Sequence, residues 1–238
     1  MRLHHLVAGD GPPLLLAGSL GTTHRLWDPQ VAALAERHRI VRYDHPGHGA
    51  SPCGPRTIEC LARQALALAD ELELERFTFC GLSLGGMVGM WLAAHEPLRI
   101  QRLVLCSTAP RLPPREGWLE RAATVREHGV EAVADAVIGR WFTRRFHDSA
   151  SWRAMLVSTP REGYARCCEA IADVDLRPEL AHIEAPTLVV LGREDPVVGD
   201  AARRELRSIP DMRIVDLPAA HLANVEQPRA FTEAVLAA

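Results

Sequence analysis

The stretch that decides the fold runs Phe77-Thr78-Phe79-Cys80-Gly81-Leu82-Ser83-Leu84-Gly85-Gly86-Met87-Val88-Gly89-Met90-Trp91-Leu92. Its first four residues read as a short buried strand, and Leu84–His95 reads as an apolar helix. Between them lies G-x-S-x-G. A strand-to-helix turn this tight strains the serine backbone and leaves no room for a Cβ on either flank, so glycine stands on both sides. The serine also falls at a helix N-terminus, whose free N–H groups favour developing negative charge.

Working outward, the same alternation continues. Leu14–Ala17 is a buried-strand candidate. Asp28-Pro29 marks a helix start, with proline at the first helical position. Arg39–Tyr43 alternates as a strand, and Thr57 opens a helix with Leu61, Ala65, Leu68 and Leu72 on one side. Leu103–Cys106, Thr187–Leu191 and Arg213–Val215 complete the strands, and Gln227–Leu236 closes the chain as a helix. Such β-α alternation predicts an α/β fold: a mostly parallel sheet flanked by helices. From about 113 to 180 no clear strand stands out. Gly117–His128, Val130–Phe142 and Ser149–Thr159 read as helices. We expect residues 1–112 and 181–238 to form one core and 113–180 a helical cap inserted into it.

Composition narrows the chemistry. The chain has 238 residues, 47% hydrophobic and 24% charged, which is ample for a packed core and excludes disorder. A net charge of −3 recruits no nucleic acid. No apolar run is long enough to cross a membrane, and the N-terminus starts no signal peptide, so a cytoplasmic protein is expected. All 27 basic residues are arginine, which removes Schiff-base lysine chemistry and the lysine of a P-loop. The six cysteines form no C-x-x-C pair, against structural zinc.

A serine hydroxyl needs a base to attack near neutral pH. Of eleven histidines, His221 follows the last strand in a loop before the final helix and is the best placed. His45 and His48 have metal-compatible spacing, but Asp44–Ser51 reads as a glycine-held turn after a strand, so no metal is assigned. The imidazole needs a carboxylate. Asp195, just after Thr187–Leu191, is the candidate, with Glu194 its neighbour and rival; the loop Ser107–Pro114 carries no acid. A tetrahedral oxyanion needs two donors. Leu84 N–H is one. Leu20 N–H, in Gly18-Ser19-Leu20-Gly21, is the other, with the Ser19 hydroxyl as an alternative.

These residues resemble the 3-oxoadipate enol-lactonases of the α/β-hydrolase superfamily over nearly the whole length. The segments carrying the resemblance are Ser19–Thr22 with Trp27-Asp28-Pro29, Gly81–Met87, Arg140-Trp141-Phe142-Thr143, Gly163–Ile171 and Ala220–Pro228. Two departures stand out. The chain begins close to what looks like the family's second strand, and Gly18 replaces a common asparagine. The resemblance implies hydrolysis of a small anionic enol-lactone to 3-oxoadipate in protocatechuate and catechol breakdown, with no metal or organic cofactor needed; no nucleic-acid or membrane partner is expected, and homo-oligomerisation is left open. For the substrate carboxylate, Arg140 and Arg144, four apart in a helix, share a face, with Arg145 beside them, and Trp141 walls the ring pocket. Backbone N–H groups and the hydroxyls of Ser19–Thr22 are the next suspects. Rival readings are a carboxylesterase, thioesterase or cofactor-free perhydrolase on the same triad, or a non-catalytic ligand sensor.

Overall fold

The computed structural model describes residues 2–54 and 56–237. Among them the strands are β1 (His5–Ala8), β2 (Pro13–Ala17), β3 (Arg39–Tyr43), β4 (Phe77–Leu82), β5 (Ile100–Cys106), β6 (Thr187–Gly192) and β7 (Met212–Leu217). They form one sheet in the order β1-β3-β2-β4-β5-β6-β7. All neighbours are parallel except β1, which runs antiparallel along the edge of β3. β1 is the strand that the alternation pattern does not find. It is four residues long, and Leu6 and Val7 are largely exposed, so it carries no buried-face signature.

The helices of the core are α1 (Asp28–Ala35), α2 (Ile58–Glu71) and α3 (Leu84–His95). β5 and β6 are separated by α4 (Arg115–His128), α5 (Glu131–Trp141), α6 (Ala150–Val157) and α7 (Arg161–Asp173), followed by a short 3₁₀ segment. α8 (Asp200–Leu206), α9 (Ala223–Glu226) and α10 (Pro228–Leu236) complete the chain. The Thr57 hydroxyl accepts from Cys60 N–H at 3.2 Å and caps α2. Below that cap Leu61, Ala65 and Leu68 turn inward and Leu72, just past the helix, is half-buried. α3 is buried on every side from Leu84 to Ala93. This explains its uniformly apolar sequence.

Parallel strands bring their C-terminal ends to one edge of the sheet. The segments after β2, β3, β4, β6 and β7 therefore emerge together, and they carry Gly18–Gly21, Asp44–His48, Ser83, Asp195 and His221. Open α/β sheets place their sites at that edge for this topological reason. Leu14, Leu15, Leu16, Phe77 and Phe79 are buried beneath it. Each fully buried side chain of this size contributes about 2 kcal/mol by area. The site thus stands on a fully buried part of the core.

Candidate active site

Ser83 sits at the junction of β4 and α3 with φ at +56°. A non-glycine residue holds this conformation only where the surroundings impose it. They do so here by close approach. A Cβ on Gly81 would lie 2.1 Å from Gly85 O, and one on Gly85 would lie 2.3 Å from Ala17 O. The Thr108 hydroxyl donates to Ser83 O at 2.7 Å and props the turn from the β5 side. Gly85 N–H donates to Gly18 O at 3.0 Å, tying the serine turn to the loop after β2.

His221 and Asp195 are both buried. His221 Nδ1 lies 2.9 Å from one Asp195 carboxylate oxygen. The other oxygen accepts from Val197 N–H at 2.8 Å and Val198 N–H at 3.4 Å, so the acid is held in place by its own loop. Glu194 lies apart from this pair and makes an ion pair with Arg145 instead. Ser83 and His221 line one small cleft, which also contains Ser19, Leu20, Trp118, Arg121, Val137, Arg140, Trp141, Tyr164 and Val197. The N–H groups of Leu20 and Leu84 find no acceptor among the described residues. A serine at a helix N-terminus, an imidazole fixed by a carboxylate and two free N–H donors are the components of acyl transfer through an oxyanion.

The Alpha/beta hydrolase family model matches residues 11–234. The chain belongs to the alpha/beta hydrolase family. This hydrolase is 40% identical over 241 residues to 3-oxoadipate enol-lactonase 2 of Acinetobacter baylyi, covering 95% of this chain and 88% of that protein. The crystal structure of the enol-lactonase from Burkholderia xenovorans LB400 superposes with a TM-score of 0.94 at 44% identity, covering 99% of this chain and 95% of that one. A thermophilic esterase from Thermogutta terrifontis, solved with malate bound, gives a TM-score of 0.93 at 29% identity over 99% and 92% of the two chains. Together these establish an ester-hydrolysing enzyme. None of its helices is long and apolar enough to cross a membrane among the described residues.

The side of the hydrolase cleft lined by α4 and α5 departs from expectation at Arg144. α5 ends at Trp141, so Arg140 and Arg144 do not share a helix face; Arg144 lies beyond the helix, exposed and away from the cleft. Phe142 already has extended backbone, which ends the helical spacing. Arg145 is exposed as well and is engaged by Glu194. Arg140 and Trp141 do line the cleft, and so does Ser19.

Arg121, from α4, is a cleft residue that sequence reasoning did not single out. It stacks over the Trp118 ring at 4.4 Å. Neither Arg121 nor Arg140 has a carboxylate within ion-pair distance among the described residues, whereas Arg126, Arg153 and Arg166 of the same segment are all paired. Burial, and after it the charge of Arg121, pull the pKa of Arg140 down. Burial pushes the Tyr164 phenol up, while the two guanidinium charges act in the opposite direction. In a chain with 27 arginines, no local pattern separates Arg121 from its solvated counterparts.

His45 and His48 also have a definite place. His45 Nε2 lies 2.9 Å from Gly18 O, and Gly21 N–H donates to His48 Nε2 at 3.0 Å. His48 Nδ1 lies 3.2 Å from Pro46 O. The two rings thus fasten both ends of the loop that carries Leu20. Burial lowers the pKa of each to about 4, so both are neutral at pH 7. Asp44 anchors the same turn, accepting from His24 N–H at 2.6 Å and Ala50 N–H at 3.1 Å, with the His24 and His4 rings each at 2.9 Å. Its burial would raise its pKa, but these contacts prevail and hold it low. The spacing of His45 and His48 was visible in the sequence; their hydrogen bonds to the Gly18–Gly21 loop follow from where the strands bring them.

Proposed function

We propose that this hydrolase opens 3-oxoadipate enol-lactone to 3-oxoadipate, in the breakdown of protocatechuate and catechol, by a Ser83–His221–Asp195 mechanism. The observation that carries the reading is the pair Arg121 and Arg140: two guanidinium groups without carboxylate partners in the cleft that holds Ser83 and His221. Both groups are partly buried, and an unpaired cation drawn partly out of water is stabilised by an anionic ligand. An enol-lactone bearing a carboxylate supplies one; a neutral ester does not. The enol-lactonases named above support the same substrate, and the malate bound to the related esterase is, like the lactone, a small carboxylate anion.

The carboxylate pairs with Arg121 and Arg140, and Trp141 and Trp118 flank the ring. Ser83 Oγ attacks the lactone carbonyl while His221 Nε2 takes its proton. Asp195 fixes the ring with Nδ1–H towards the carboxylate and stabilises the imidazolium. Leu20 and Leu84 N–H groups donate to the oxyanion, each worth about 3 kcal/mol. Collapse breaks the ring C–O bond, and His221 returns the proton to the enol oxygen. The freed enol tautomerises to a ketone, which removes the group that would re-close the ring. Water, deprotonated by His221, then cleaves the acyl-serine. The helices between β5 and β6 act as the cap over this chemistry. The six free cysteines suit a reducing cytoplasm.

The test is loss of the ultraviolet absorbance of the enol-lactone, generated in situ from muconolactone by its isomerase. A neutral methyl ester of the same lactone serves as control. Rapid turnover of the acid with a strong preference over the ester supports the proposal. Equal turnover of both favours a general carboxylesterase, and a few turnovers at most would indicate a ligand sensor.

A further inference from the structure

Two of the segments that carry the sequence resemblance, Arg140–Thr143 and Ala220–Pro228, interlock in the structure, and the mechanism above uses only Arg140, Trp141 and His221 from them. Leu222 N–H donates to Trp141 O at 3.0 Å. Four residues on, the Glu226 carboxylate accepts from both donors of Thr143, the backbone N–H at 2.6 Å and the hydroxyl at 3.0 Å. Leu222 and Glu226 are the two ends of one turn of helix, because Glu226 N–H donates to Leu222 O at 3.1 Å. So α9 grips the exit of α5 at two points, immediately after His221.

The other side of α9 is tied to the core. Asn224 is fully buried. Its Nδ2 donates to Leu26 O at 2.9 Å and Gln30 Oε1 at 3.1 Å, and Gln30 Nε2 donates back to Asn224 O at 2.8 Å. α9 is therefore a stiff bridge. One side is fixed to the core beside α1, the other to the cap at the residues that follow Arg140. Glu226 has no cationic partner among the described residues, so its carboxylate is committed to Thr143. Two bonds from one carboxylate, one of them to a backbone N–H, define a position more tightly than a neutral side chain would.

We propose that Glu226 is a positioning residue for substrate choice: by clasping Thr143 it sets where Arg140 and Trp141 stand relative to His221, and so sets the preference for a charged substrate. This rests on the reading that Arg140 takes the substrate carboxylate. A guanidinium recognises a carboxylate over a narrow range of distance, whereas the acyl chemistry depends on Ser83, His221 and Asp195, which are held by the core. Loosening the clasp therefore acts more strongly on recognition of the anion than on the reaction itself.

The experiment compares Glu226→Ala, Glu226→Gln and Thr143→Ala with the wild-type enzyme on the acid lactone and on its neutral methyl ester, together with amide hydrogen exchange at Thr143 and Leu222. In Glu226→Ala the ratio of kcat/KM for acid over ester falls about tenfold, mainly through KM for the acid. Glu226→Gln, which keeps one acceptor, recovers part of that ratio. The double variant Glu226→Ala with Thr143→Ala loses no more than Glu226→Ala, because both changes break one clasp. Thr143 N–H exchanges faster in Glu226→Ala while amides in the sheet do not. An equal fall on both substrates, or unchanged Thr143 exchange, overturns the proposal. If the wild-type enzyme has no preference for the acid, the enol-lactone reading fails first and the specificity role fails with it; the exchange result then decides the positioning role on its own.

Discussion

Ser83, His221 and Asp195 come from three strand ends and act as one unit if the proposed chemistry holds. Ser83→Ala and His221→Ala are each expected to lower kcat on the order of 10⁴-fold or more, and the double variant little further. Asp195→Asn is expected to be severely impaired and Glu194→Gln to remain active, because Asp195 and not Glu194 meets His221. A steady-state comparison of the four settles this; an active Asp195→Asn beside a dead Glu194→Gln would reverse the assignment. The arginines give a second prediction. Losing one charged hydrogen bond costs about 1.5–3 kcal/mol, so Arg121→Gln and Arg140→Gln are each expected to lower kcat/KM for the acid lactone roughly ten- to a hundredfold. The methyl ester is expected to suffer much less. Arg144→Gln, exposed and outside the cleft, is expected to behave as wild type. A similar loss on acid and ester in both cleft variants would remove the arginines from anion recognition.

Elements explain what the sequence made visible and what it hid. β2, β4, β5 and β6 are buried runs of branched and aromatic residues, and G-x-S-x-G follows a strand, so both the sheet and Ser83 were legible. His221 and Asp195 were legible because each follows a strand within a few residues. β1 was not, since an exposed edge strand of four residues has no pattern to read. The arginine pair was hidden for another reason. Arg121 belongs to α4 and Arg140 to α5, and no spacing within one helix reports a meeting of two. The Arg140–Arg144 spacing misled because it assumed a helix that stops at Trp141. These two helices also bear on access. The cleft has a free volume of about 30 Å³, room for a water or two, so admitting a lactone is expected to require its walls, α4 and α5 among them, to shift. Amide exchange along α4 and α5 is accordingly expected to slow when 3-oxoadipate is bound. Identical exchange with and without it would indicate a preformed pocket elsewhere.

At the scale of the whole molecule, His45 and His48 link the Gly18–Gly21 loop to global stability. Both have a folded pKa of about 4 against roughly 6.5 in an unfolded chain. A histidine with a lowered folded pKa binds fewer protons folded than unfolded in the interval between the two values. Stability is therefore complete above about pH 6.5 and is lost as pH falls towards 4, where the folded groups protonate in turn. By pH 5 each histidine forfeits about 2 kcal/mol, and two of them lower the melting temperature on the order of 10 °C for a chain of this size. Asp44, held low by its hydrogen bonds, adds to the loss only at still lower pH. Unfolding is the right readout, because it reports the two buried rings apart from the chemistry at the site. Thermal melts between pH 7.5 and 5 measure the slope, and His48→Gln is expected to reduce it by close to one proton while lowering stability at pH 7.5. A melting temperature that stays level from pH 7.5 to 5 would mean that the two rings accept protons in place. In that case the bond from Gly21 N–H to His48 Nε2 could not persist, since a protonated nitrogen has no lone pair to accept it.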